Sequence, residues 1–111
     1  MNIIQRTQGD VRILCLEGKI TLGEGDQELS EAVRAALDNG TRRIVLNFEK
    51  VSYLDSSGVG ELVGCYTSIK KAGGELKICG MNSRTLGLIT LTGLHSVFAV
   101  AETEAEAVAG F

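Results

Sequence analysis

The chain has 111 residues, 44% of them hydrophobic and 23% charged, with a formal net charge of −3. This balance excludes a disordered polymer and sets one globular domain as the expectation, with roughly 65% of the unfolded surface buried at this size. The acidic excess lacks the clustered Lys and Arg that nucleic-acid phosphates select, and no apolar run reaches the ~20 residues of a membrane span, so neither nucleic acid nor membrane insertion is expected.

The basic pairs Arg42-Arg43 and Lys70-Lys71 are short, far apart and read as solvated element ends. The opening M-N-I-I-Q-R-T-Q-G-D has no basic stretch followed by a long apolar one, so no secretory signal is expected there. Three cysteines, Cys15, Cys65 and Cys79, form no C-x-x-C pair, and His95 is the sole histidine. Together these point to a reducing cytoplasm and to no metal site. Cys15 and Cys79 lie in apolar strand-like runs and are expected to be small buried hydrophobes.

Taken in chain order, I-I-Q-R-T and V-R-I-L-C-L flank Q-G-D and predict a hairpin. Val11, Ile13 and Cys15 fall on one face of the second strand, and Leu14 and Leu16 on the other, so both faces should be covered. K-I-T-L is expected to be a short strand or extended piece after Gly18. Leu29, Ala32, Val33, Ala36 and Leu37 then form one helical stripe. Asp26 caps that helix or complements its positive end, and Asn39-Gly40 stops it. R-R-I-V-L-N-F predicts a central parallel strand, followed by E-K-V-S-Y-L-D as a connector. The next helix sets Val59, Leu62, Val63, Tyr66 and Ile69 on one face and ends at Gly73-Gly74. A strand E-L-K-I-C-G, a helix from Asn82 closed by Gly93, a strand over Val97 to Val100 and a short helix opened by Thr103 and Glu106 complete the order. The alternation predicts an α/β fold, a single domain over residues 1–111 with a mixed sheet and helices packed mainly on one face.

The stretch Y-L-D-S-S-G-V-G-E-L-V carries the chemistry. A hydrolase elbow needs G-x-S-x-G, and neither Ser56 nor Ser57 is so flanked. His95 is the only candidate base for a triad, and a lone histidine in such a loop is structural or merely exposed. Glycines 58, 60 and 64 miss the dinucleotide spacing by one residue, and G-E-G-D-Q-E lacks the Lys and Ser/Thr of a phosphate loop. No cofactor is expected. One helix cap needs one residue, whereas Asp55, Ser56 and Ser57 offer three, followed by two poor helix formers, Gly58 and Gly60. Two readings stay open: a cap alone, or a cap with a serine that is modified or meets a partner. A helix start stabilises an added phosphate through its dipole and free N–H groups.

The run R-R-I-V-L-N-F-E-K-V-S-Y-L-D-S-S-G-V-G-E-L-V resembles the signature of the STAS domain, in particular of the bacterial anti-sigma-factor antagonists. The similarity extends through L-E-G-K-I-T, K-A-G-G-E-L-K-I-C-G and L-T-G-L-H-S-V-F, so it spans essentially the whole chain. It implies a domain that is no enzyme, monomeric when free, and a substrate of an anti-sigma-factor serine kinase with a histidine-kinase-like ATPase fold. That kinase would phosphorylate Ser56, with Ser57 as the alternative, and a PP2C-type serine phosphatase would reverse it. The implied partner surface is Asp55, Ser56, Ser57, Gly58, Gly60, Glu61 and Thr21, with Gly58 and Gly60 expected to allow a partner's close approach. Members often carry G-x-L-D where this chain reads Gly18-Lys19-Ile20-Thr21, which leaves partner identity open. The same resemblance also admits a scaffold subunit of a stress-signalling complex or a cytoplasmic accessory subunit of a lipid-transport ABC system.

Overall fold

The computed structural model describes residues 1–111. The elements are β1 (Asn2–Gln8), β2 (Val11–Ile20), α1 (Asp26–Asp38), β3 (Arg43–Leu54), α2 (Ser56–Lys71), β4 (Glu75–Cys79), α3 (Ser83–Leu91), a 3-10 turn (Leu94–Ser96), β5 (Ala99–Ala101) and α4 (Glu104–Ala109). The five strands lie in the order β1-β2-β3-β4-β5; β1 and β2 are antiparallel, and every later pair is parallel. Each crossover helix therefore advances the sheet by one strand, which gives the expected mixed α/β architecture.

The alternation in β2 divides the core as its residues predict. Leu14 and Leu16 join Leu29 and Val33 of α1, Leu62 and Ile69 of α2 and Ile89 of α3 in the main core. Val11 and Ile13 join Val45, Cys79 and Ala107 in a smaller one under α4. Three helices thus cover one face and the short α4 part of the other. No helix is long and apolar enough to cross a membrane.

Several local expectations are corrected. E-K-V-S-Y-L is the second half of β3, because β2 continues through Lys19 and Ile20 and pairs with it, Lys19 opposite Tyr53 and Ile20 opposite Leu54. Two register shifts in that pairing change the burial period, so that Phe48, Val51 and Leu54 are buried in turn. Lys19-Ile20 are strand, as expected, but as the end of β2 rather than a separate piece, and Thr21 and Leu22 form a turn instead of continuing it. Of the two roles open to Asp26 the structure takes the second: Gly25 holds the cap position of α1 with φ 85°, and Asp26 is an acid of the first turn, at the positive end of the helix, where its carboxylate also accepts from the N–H of Gly23 at 3.2 Å. On α2, Val63 is exposed and Cys65 takes the buried place, which leaves Val59, Leu62, Cys65 and Ile69 as the packed stripe. The last strand begins at Ala99, after a 3-10 turn that holds His95. Gly40, Gly73 and Gly93 stop their helices with positive φ, as their positions predict.

Candidate functional site

The parallel strands β2 and β3 end together, Ile20 opposite Leu54, and α2 leaves from that edge. Asp55 is extended (φ −109°, ψ −174°), and its Oδ1 accepts the N–H of Gly58 at 2.9 Å. Its backbone carbonyl takes the N–H of Val59 at 2.9 Å, while its own N–H donates to the carbonyl of Ile20 at 3.4 Å. Asp55 is therefore the cap, and the capping bond uses neither serine hydroxyl.

The fold also separates the two serines, which the sequence alone does not. Ser56 is exposed and Ser57 is half-buried. Both belong to the first turn, whose leading N–H groups have no partner within the helix. A negative group placed there meets the positive end of the helix dipole.

The two glycines have different reasons. At Gly58 an added Cβ would collide with the carbonyl oxygen of Ile20 and lie 2.5 Å from Leu54 Cδ1. Gly58 is buried, so its missing side chain admits the end of β2; the expectation that it makes room for a partner is corrected to an internal contact. Gly60 is exposed, and a Cβ there would meet open space.

Thr21 follows Ile20 directly and closes a turn with Glu24: Thr21 N–H donates to Glu24 O at 2.8 Å, and Glu24 N–H to Thr21 O at 3.1 Å. The turn is thereby fixed beside the start of α2 through Ile20. Glu61, one turn further along α2, is half-buried and lines a groove of about 260 Å³ against α1, with Arg34 and Ser30 opposite. His95 lies in the 3-10 turn packed on α3 and β5, on elements other than those that carry the serines.

A second polar cluster escaped the sequence reading. On the opposite sheet face Arg6 Nη2 donates to Glu104 Oε1 at 2.5 Å, and Asn47 Nδ2 to the same oxygen at 3.1 Å. Cys15 Sγ lies 3.9 Å from that oxygen. Arg6, Cys15 and Asn47 also line a cleft of about 230 Å³ between β1, β2 and β3. The bonds from Arg6 hold the Glu104 carboxyl below the usual carboxylate range against an opposing push from burial. Burial pushes the Cys65 thiol up to about 12 and the Cys79 thiol up to about 11. Arg6 and Glu104 are 98 positions apart in the chain, so no local pattern signals their bond.

The model of the STAS domain matches residues 2–107. The chain belongs to the STAS domain family. A relative from Paenibacillus polymyxa, an anti-sigma F factor antagonist, is 32% identical over 90 residues, 77% of each chain. An anti-sigma-B factor antagonist of Staphylococcus aureus is 40% identical over 80 residues, covering 71% of this STAS domain and 74% of the relative. Among solved structures, an anti-sigma factor antagonist from Mycobacterium paratuberculosis superposes with a TM-score of 0.87 at 22% identity, over 98% of this chain and 92% of its own. The Bacillus cell fate determinant SpoIIAA in its phosphorylated form superposes with a TM-score of 0.73 at 22% identity, over 97% of both chains. At those identities the superpositions speak for the fold.

Proposed function

We propose that this STAS domain is an anti-sigma-factor antagonist. In this reading it binds an anti-sigma-factor serine kinase of the histidine-kinase-like ATPase type in the cytoplasm and is released when that kinase phosphorylates Ser56. The observation that carries the reading is the division of labour at the start of α2: Asp55 supplies the cap, and Ser56, whose hydroxyl that capping bond does not use, is exposed beside it. The names of the two relatives support the antagonist role, and the phosphorylated form of SpoIIAA shows that a protein of this fold carries a phosphate.

The chemistry is that of a substrate. The Ser56 Oγ attacks the γ-phosphorus of ATP bound to the kinase, the bond to the bridging oxygen breaks to leave ADP, and the hydroxyl proton passes to a base of the kinase. The product carries about −1.5 to −2 charges at pH 7. The N-terminus of α2 bears that charge within the domain, so the fold is kept. The kinase cannot bear it equally, because the new phosphate faces the phosphates of ADP across the site it has just left and must be desolvated there. A loss of ~3 kcal/mol weakens a complex more than a hundredfold. A PP2C-type phosphatase, adding water across the Ser56–phosphate bond, resets the switch. In this reading Thr21, Asp55, Ser57, Gly60 and Glu61 form the contact surface together with Ser56, and the free domain is a monomer without catalytic activity of its own.

Incubation with each purified kinase of this type encoded in the same genome, with ATP, followed by mass-spectrometric site mapping, tests the reading. A phosphate on Ser56 that disappears in Ser56→Ala and persists in Ser57→Ala is expected. A phosphate confined to Ser57 would move the site, and none on either serine with every kinase would overturn the reading.

A further inference from the structure

The turn after β2 holds an apolar side chain in solvent at the edge of the sheet from which α2 leaves. Leu22 is 80% exposed at the tip of the Thr21–Glu24 turn. Isolated exposed leucines are common and by themselves mean little. What distinguishes Leu22 is how firmly it is presented. Gly23 follows it with φ 78°, the left-handed geometry that a turn of this kind requires at its third position. The reciprocal Thr21 and Glu24 backbone bonds close the turn, and the Asp26 carboxylate ties the Gly23 N–H to the start of α1. Behind it, Gly25 has φ 85°, and an added Cβ there would collide with the carbonyl oxygen of Lys19. The loop therefore has little freedom to lose on binding, the condition under which an apolar contact contributes most of its burial energy.

Its position is set by the same contact that seats α2. Ile20, whose carbonyl meets Asp55 and Gly58, is two residues before Leu22. Two peptide units span at most about 7.6 Å, so Leu22 and Ser56 belong to one patch that a single partner can cover. The collar of that patch is acidic: Glu24 and Glu28 are exposed and Asp26 and Asp55 half-buried, against Lys19.

We infer that Leu22 is the apolar anchor of the partner interface, seated in a hydrophobic pocket of the kinase whose rim is basic. The inference rests on the proposed antagonist role and adds to it the part of the surface that supplies affinity, with Ser56 as the part that withdraws it. Burial of a leucine side chain is worth about 10- to 100-fold in affinity, and the acidic collar adds association rate that salt screens. Because the anchor is engaged alike before and during phosphoryl transfer, its removal raises KM and leaves kcat unchanged.

The test uses whichever purified kinase phosphorylates the wild-type domain. Leu22→Ala is expected to weaken binding of the unphosphorylated domain by about 10- to 100-fold. Its KM as a substrate should rise in parallel, with unchanged kcat and an unchanged thermal midpoint. Glu24→Lys is expected to slow association at low salt and to match wild type at high salt. Binding of Leu22→Ala within about twofold of wild type, with Ser56 still phosphorylated, overturns the anchor and spares the switch. Phosphorylation of wild type by no kinase overturns both.

Discussion

At the start of α4 the residue after the cap is spent inside the molecule, whereas at the start of α2 it is left over. Thr103 caps α4 by accepting the Glu106 N–H at 3.2 Å, and the next residue, Glu104, is bonded to Arg6 and Asn47. Asp55 caps α2 by accepting the Gly58 N–H at 2.9 Å, and the next residue, Ser56, is exposed. Both helices solve the same problem of unsatisfied N–H groups with a side-chain oxygen. They differ in where the next polar group goes. Glu104 fastens a six-residue helix that has few apolar residues to hold it, with Ala107 its only buried one. The sixteen-residue α2 is held by Val59, Leu62, Cys65 and Ile69 and needs no such fastening, so its first turn is available for other use.

The comparison breaks if exchanging charges at the two starts has like effects. Ser56→Asp is expected to weaken binding to the cognate kinase more than about a hundredfold, the ~3 kcal/mol argued for the phosphate. Glu104→Gln should leave binding within about twofold, since it lies on the opposite sheet face; calorimetric titration reads both. Equal losses would mean that the kinase senses general destabilisation rather than the α2 start.

A second pair of variants sharpens the reading of the two glycines. In Gly58→Ala the new methyl has no room against the backbone of Ile20, which cannot yield as a side chain would, and a loss of about 3 kcal/mol or more in denaturant unfolding is expected. Gly60→Ala, in open space on the same helix, should stabilise by about 0.5–1 kcal/mol through propensity alone. A Gly58→Ala protein as stable as wild type would remove the internal role given to that glycine. Asp55→Ala comes next, with about 1 kcal/mol expected from the lost cap.

These cases also mark what was legible before the fold. The hairpin, the mixed sheet, the helix stops at Gly40, Gly73 and Gly93 and the siting of D-S-S-G at a helix start follow from local periodicity and turn chemistry. The second half of β3 was hidden because its buried residues, Phe48, Val51 and Leu54, recur every third position, a period set by the extra residue that β3 carries against β2 at each of the two register shifts. Gly58 read as an oddity of helix propensity, since its reason is a carbonyl 38 positions earlier in the chain. Ser56 and Ser57 are chemical twins in sequence, and only the direction in which α2 leaves the sheet exposes one more than the other. Leu22 passed unmarked because exposure belongs to the turn around it and not to the residue.

The smallest expected effect concerns acid stability and bears on the α4 half of the comparison. The Glu104 carboxyl is held below its usual range chiefly by the bond from Arg6. A group whose folded pKa is depressed stabilises the fold above its unfolded value, about 4.3 for glutamate, and that contribution is lost as pH falls through the lower folded value. The thermal midpoint of wild type should therefore drop on acidification below about pH 5 more steeply than that of Glu104→Gln, whose amide cannot titrate. The Asn47 side chain can still reach the glutamine oxygen, so the helix should stay docked at neutral pH with a modest loss. Parallel midpoint curves for the two proteins from pH 7 to 3 would show that the Arg6–Glu104 pair is merely a surface ion pair. Half of Arg6 is exposed, and that solvent access is why the predicted difference is the smallest of the set.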